Sequence, residues 1–352
     1  MLFGFFKKLF SSSKPKPQPS STFPESPPSI EIAKTVPSNS SSEASQTDCD
    51  YFSLSTSFNE LLLGAQLQAN QAPNALELDI INSVEKLLSG QIPESAVPRL
   101  PDVAMALLKE LANDNISPEA IMSYINRDPA LASEVLAMSN SALFRVSEGQ
   151  IVNLDKALMV LGLNNLKTIV SSALMKRLMV IAPIYFRMFG QHLWQHSLDC
   201  GHACRALATF YGKGDPNNAY LVGLMHDVGK LAIFGVLTQA LGQHLDYKPR
   251  GSVFSAIVRD HSQTLSARIA SQWGLPDYLL TALAEQQDTR ALVGDCSIYG
   301  FILNQANMLA EFKAIAEKAV TPEQRIDSLL VQYNIPLHLF REVFPEDFIA
   351  LS

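Results

Sequence analysis

From residue 51 onward the chain keeps a single rhythm. Apolar residues return every three or four positions in FNELLLGAQLQ (58–68) and LELDIINSVEKLL (76–88), and again at Val103, Leu107, Leu108 and Leu111. That spacing lines them up on one face of a 3.6-residue helix. No stretch shows the two-residue alternation of a half-buried strand. The predicted class is all-α, a multi-helix bundle of two packed helical subdomains.

Start and stop signals divide the rhythm into elements. Ser117-Pro118 and Asp128-Pro129 each place a capping side chain before a proline at the first helical position. Asn153 caps LDKALMVLG, which Gly162 ends, and a long stripe follows at Leu166, Ile169, Val170, Ala173, Leu174 and Leu178. A second unit begins near residue 186. FGQHLWQHSLDCGHACRALATFYG reads as one helix closed by Gly212 and Gly214, and residues 217–237 as the next. Further helices are expected over 251–273, from Pro276, and over 296–318. The predicted organisation is a short amphipathic start and Ser/Pro-rich disordered linker over 1–50, and a helical extension over 51–94. A first helical subdomain then covers 95–185, and a second, with the C-terminal helices, covers 186–352.

Composition restricts the function classes. With 27 Lys and Arg against 34 Asp and Glu, the formal charge is −7, so no nucleic-acid partner is expected. The four cysteines include no CxxC pair, as expected in a reducing, cytoplasmic compartment. No run reaches the roughly 18 apolar residues of a membrane span. The start, MLFGFFKKLF, gathers Gly4, Lys7 and Lys8 on one narrow helical face with phenylalanines and leucines around the rest. Residues 1–10 therefore suit either a weak, peripheral membrane contact or a terminal stub.

Chemistry concentrates in the second unit. His192, His196, Cys200 and Cys204 step by four along one helix, but such a ladder spans about 18 Å and cannot share one ion. His196 has a further prospect, because His226-Asp227 on another helix can converge with it inside a bundle. Imidazoles with a carboxylate suit iron, manganese or zinc. Lys230, one turn on, is placed to balance phosphate charge. The alternative is a metal-free network in which Asp227 pairs with His196, His226 and Lys230 and pins the helices. Arg145 and Lys167 read as solvated, and Trp194 and Trp273 as core.

His196-Ser197 followed by GLMHDVGK resembles the HD superfamily of metal-dependent phosphohydrolases. The preceding unit, ISPEAIMSYINRDPALASEVLAMSNSALF and then LDKALMVLGLNNLK, resembles the HDOD domain through its IxxDPxLxxxVLxxxNSAxF and AxxxLG patterns. DHSQTLSARIASQWGLP is similar to that family's later helix, and the resemblance covers about residues 95–315. It implies a metal set of His196, His226, Asp227 and His261, with His226, Asp227 and Lys230 carrying any catalysis.

The departures from the pattern change the expectation. Where two-metal relatives place a histidine pair after the Leu-Pro turn, this chain has Gln286-Gln287. Where HD enzymes close the site with an aspartate, NQANML supplies Asn307. Neutral amides bring neither charge nor imidazole nitrogen. The resemblance therefore implies no resident cofactor, or one loosely held divalent ion (iron, manganese or zinc). It implies a non-catalytic regulatory protein acting on signalling proteins such as cyclic-dinucleotide enzymes or kinases. The alternatives are a single-metal phosphohydrolase and a nucleotide second-messenger sensor that uses the old cleft.

Overall fold

The helix starts lie where the capping residues predict them. In the computed structural model, Ser117 accepts the Ala120 N–H at 3.2 Å, Asp128 the Leu131 N–H at 2.9 Å and Asn153 the Lys156 N–H at 2.8 Å. Each bond satisfies a backbone donor that the first turn leaves without an intrahelical partner. The structure describes residues 54–62, 73–90, 98–112, 116–146, 149–179, 187–241, 251–286, 296–319, 330–331 and 335–345. The amphipathic start and the Ser/Pro-rich linker lie outside them.

The described residues are all-α. Helix α1, described over residues 54–62, comes first. It is followed by α2 (Ala75–Ser89), α3 (Asp102–Leu111), α4 (Pro118–Asn126), α5 (Pro129–Ser139) and α6 (Leu154–Leu178). Then come α7 (Arg187–Tyr211), α8 (Pro216–Met225), α9 (Val228–Leu241), α10 (Gly251–Gln272), α11 (Asp277–Glu285), α12 (Ile298–Ala319) and α13 (Leu337–Val343). Helices α3 to α6 pack among themselves as one subdomain, and α7 to α12 as the other, with α13 against α7. The two meet where α6 packs on α8. There the Ser172 and Tyr220 hydroxyls lie 2.6 Å apart, and Arg205 donates to Asn165 at 3.1 Å.

Two motif residues of the first subdomain have structural roles. Asp128 caps α5 and also takes a two-pronged bond from Arg177 at the end of α6, at 2.6 and 3.2 Å. The Arg177 bond, against a smaller opposing effect of burial, holds the Asp128 carboxyl below its usual range. Asn140 exchanges hydrogen bonds with the Ile151 backbone in both directions, each at 2.8 Å, and so fixes the loop that leads to α6.

Gly162 ends its helix as predicted, leaving helical geometry at φ 73° and ψ 171°, and a second helical stretch continues beyond the kink within α6. Two other expectations need correction. The run 217–237 is not a single helix, because the chain tightens into a turn at His226 and Asp227 between α8 and α9. Lys167 is buried rather than solvated. Trp273 is buried, and Trp194 packs partly buried on the core.

By length and composition alone, Leu154–Leu178 and Pro216–Leu237 are apolar enough to cross a bilayer. Packing accounts for their apolarity, since 61% and 89% of their respective most apolar 18-residue windows are buried inside the bundle. Helix α2, from the extension, lies against α9 and α10. Its capping box is complete: Asn74 accepts from the Glu77 backbone at 3.0 Å, and Glu77 accepts from the Asn74 backbone at 2.7 Å. Arg268 of α10 donates to the carbonyls of Leu88 and Gly90 at its other end.

Candidate functional site

Three segments converge in the second subdomain. Helix α7 brings His196, the α8–α9 turn brings His226 and Asp227, and α12 brings Asn307. Small residues allow the approach: a Cβ on Gly223 would lie 2.6 Å from the Cys200 carbonyl oxygen, so α7 and α8 can close only around a glycine. The His226 Nδ1–H donates to the Gly223 carbonyl at 2.7 Å, which turns Nε2 toward the cluster. The His226 Nε2 lies 3.2 Å from His196 Nε2, 3.2 Å from Asp227 Oδ2 and 3.0 Å from Asn307 Oδ1. The His196 Nε2 lies 3.0 Å from the same Asn307 oxygen and 3.4 Å from Asp227 Oδ2.

All of these groups are buried. Burial alone would raise the Asp227 carboxyl, but the charges of His226 and Lys230 outweigh it and hold the group well below its usual range. Lys230 donates to Asp227 Oδ2 at 2.7 Å. For His226 the order is similar: burial favours the neutral ring, and the Asp227 charge overrides it to push the ring well above 6.5. His196 is pushed by burial down to about 4 and stays neutral.

Asn307 is held from behind. Its amide Nδ2 donates to Glu311 Oε1 at 3.3 Å, which directs the carbonyl oxygen at the two imidazoles. Burial pushes Glu311 up to about 7, and its Oε2 has no hydrogen-bond partner. Glu311 sits one turn beyond Asn307, a spacing that could have marked it in the sequence. Phe58 of α1 is the second residue the sequence did not point to. Its ring stands 4.3 Å from the His196 ring, and the Lys230 ammonium lies 5.2 Å from its centre. Nothing in the extension's periodicity separates Phe58 from an ordinary core residue.

The predicted site residues therefore divide. His196, His226, Asp227, Lys230 and Asn307 come together. His261 stays apart: among the described residues the only grouped ligand atoms are those of His196, His226 and Asp227. It sits partly buried on α10, whose buried face meets α9 through Ser262 and Ser266 instead. Gln286 borders the site, donating to the His226 carbonyl at 3.4 Å, and Gln287 lies outside the described residues. His192 is only partly buried, near Lys318 (3.2 Å), and the Cys200 thiol is buried and pushed well up by that burial.

The donor set fits one small divalent cation. Two imidazole nitrogens, a carboxylate oxygen and an amide oxygen stand 3.0–3.4 Å apart. That is close to the separation of about 3.3 Å expected of atoms sharing a tetrahedral ion at ~2 Å. The fixed His226 tautomer leaves Nε2 as the ligating atom, and its Nδ1–H anchor is the outer support that metal-bound histidines use. An ion here would polarise a phosphoryl oxygen or acidify a bound water. Without one, the Lys230 ammonium and the His226 ring face the Asp227 carboxylate.

Known proteins resemble this chain. A protein of Treponema pallidum (strain Nichols), described as uncharacterized, is 21% identical over 194 residues, 53% of this chain and 37% of that protein. The chain thus matches little more than a third of that relative's length. A solved HDOD domain protein of unknown function from Geobacter sulfurreducens superposes with a TM-score of 0.52 at 19% identity, over 77% of this chain and 92% of that one. A Shewanella amazonensis SB2B protein, described as a candidate metal-dependent phosphohydrolase, superposes with a TM-score of 0.54 at 19% identity, over 79% and 100%. At such identities the likeness concerns the fold alone. The HDOD domain family profile matches residues 97–289. With the α3–α6 subdomain and the His-Asp turn both inside that match, the chain belongs to the HDOD domain family.

Proposed function

We propose that this is a non-catalytic regulatory protein that acts by binding other proteins, and that its His-Asp cluster pins helices rather than cleaving phosphoesters. One observation carries the reading: the single carboxylate of the cluster is already engaged. Asp227 Oδ2 holds the Lys230 ammonium at 2.7 Å and faces the His226 ring at 3.2 Å, while the remaining side is the neutral Asn307. One carboxylate in contact does not balance an ammonium and a dication in a buried site, where each uncompensated charge costs several kcal/mol, and burial holds Glu311, behind Asn307, in its neutral form below about pH 7. Partner binding is supported by apolar side chains left in solvent on the first subdomain. Leu143, Val146, Val152 and Met159 are 49%, 56%, 64% and 83% exposed. The partners we infer are signalling proteins, such as cyclic-dinucleotide enzymes or kinases.

The test is turnover by the pure chain of cyclic dinucleotides and generic phosphodiesters with iron, manganese or zinc supplied. We expect none above background. Turnover abolished by both His226→Ala and Asp227→Ala would reject the reading.

The ligand-atom separations favour a second reading, a single-ion phosphohydrolase. In it His196, His226, Asp227 and Asn307 hold the ion, and Lys230 faces the phosphate. Stoichiometric metal in the purified protein, together with that turnover, would establish it.

A further inference from the structure

The cluster is roofed by a segment that lies outside the family profile's match. The profile match begins at residue 97, whereas α1 covers residues 54–62. Leu54, Phe58 and Leu62 lie on one face of α1 and are all but fully buried. Phe58 is the contact with the site: its ring lies against His196, with Lys230 near its face. An aromatic ring beside an ammonium is a favourable arrangement, stronger when desolvated. The ring therefore occupies the position from which a ligand would meet both Lys230 and His196.

The roof is incompletely satisfied. Two of its own buried polar atoms, Thr56 Oγ1 and Asn59 Oδ1, have no hydrogen-bond partner. Beneath it, His196 Nδ1 and Glu311 Oε2 are in the same state. A buried polar atom without a partner carries a desolvation penalty that release into water removes. Helical stability comes mainly from packing of an apolar face, here Leu54, Phe58 and Leu62. Segments held by few such contacts come from the low-stability end of a fold.

We propose that α1 is a displaceable plug, whose departure with Phe58 opens the His196–Lys230 face of the cluster to ligands. The proposal rests on the buried cluster of the preceding reading but not on whether that cluster turns over substrate. Regulation then acts on the plug: whatever draws α1 from its seat exposes the site.

The experiment uses the full chain, and its readouts are independent of activity and of metal. Hydrogen exchange follows the amides of 54–62 and, as reference, those of 228–237 in α9. Diethyl pyrocarbonate, read by peptide mass spectrometry, reports His196, with the partly exposed His261 as internal standard. In the parent we expect 54–62 to exchange at least tenfold faster than 228–237. Leu54→Ala should speed both α1 exchange and His196 modification at least tenfold, leaving α9 and His261 unchanged. Thr56→Val replaces an unpartnered hydroxyl with a methyl and carries little risk of unfolding; it should slow both. The plug is overturned if α1 exchanges as slowly as α9. It is also overturned if His196 modification ignores the change in α1, or if α9 accelerates in step with α1. Loss of the non-catalytic reading would show as turnover, which none of these readouts measures.

Discussion

Asn307 Oδ1 lies 3.0 Å from His226 Nε2, at the one side of the cluster where a carboxylate would add a second negative charge. The Glu311 side chain behind it fixes the amide with its oxygen forward. Asn307→Asp keeps the shape of the side chain and supplies the charge. We expect the affinity for manganese or zinc to rise at least tenfold, about 1.4 kcal/mol or more. Titration calorimetry on the chelator-treated parent and variant measures it. Equal affinities would mean that charge at this position does not limit metal binding.

Asp227 is buried against both Lys230 and the His226 ring. Removing it with Asp227→Ala leaves Lys230 and His226 without their counter-charge. The cost of breaking a buried pair in this way is about 3–5 kcal/mol. Urea denaturation should show a loss of that size. Asp227→Asn, which keeps the hydrogen-bonding shape, should lose less. A loss under about 1 kcal/mol in the alanine variant would place Asp227 outside the fold's supporting network.

Much of this architecture was legible because capping and periodicity are local. Ser117, Asp128 and Asn153 signal helix starts through a short polar side chain, whatever packs on top of them. The convergence of His196 with His226-Asp227 was legible from residue type, and Asn307 from its place in a pattern. What the sequence hid was tertiary. The break between α8 and α9 falls at His226-Asp227, between the apolar stretches LVGLM and LAIF, which helical spacing alone reads as one helix. Lys167 reads as a surface charge, yet it is buried on α6. Phe58 belongs to a helix whose periodicity says only that one face is covered, not what covers it. His261 falls at a matching position, but α10 presents Ser262 and Ser266 to α9, so the ring stays apart from the cluster.

Glu311 gives the site a measurable dependence on pH. Burial raises its carboxyl from 4.5 to about 7. The folded state holds this proton more tightly than the unfolded chain. The stability it contributes is therefore fully present below about pH 4.5 and is lost as the pH rises through 7. A shift of this size corresponds to roughly 3 kcal/mol. His196, lowered from 6.5 to about 4, has the opposite slope: its contribution is present above 6.5 and lost as the pH falls. The two oppose between pH 4.5 and 6.5, so the readout is the difference between parent and Glu311→Gln. Relative to the variant, the parent should weaken steadily from pH 4.5 to 7.5 in urea melts. Parallel pH curves would mean that Glu311 is ionised in the folded protein.

Two glycines on α9 should respond to alanine in opposite directions. A Cβ on Gly229 would lie 2.0 Å from the Ser262 carbonyl oxygen and 2.6 Å from the Ser266 backbone nitrogen. Those atoms are backbone of α10 and cannot swing aside. The close approach also supports a bond from the Gly229 N–H to Ser266 Oγ at 2.9 Å. Gly229→Ala must part α9 from α10, and overpacking of this kind costs about 1–3 kcal/mol or more. Gly235, on the same helix, would place a Cβ in open space. Gly235→Ala there gains helix propensity of up to about 1 kcal/mol. Thermal melts of the two variants should therefore fall on either side of the parent. Because α9 carries Lys230, the Gly229 variant should also lose its Lys230–Asp227 pairing, whereas the Gly235 variant should keep it. If both variants melted together, the glycine of the GLMHDVGK stretch would owe its place to something other than the contact between α9 and α10.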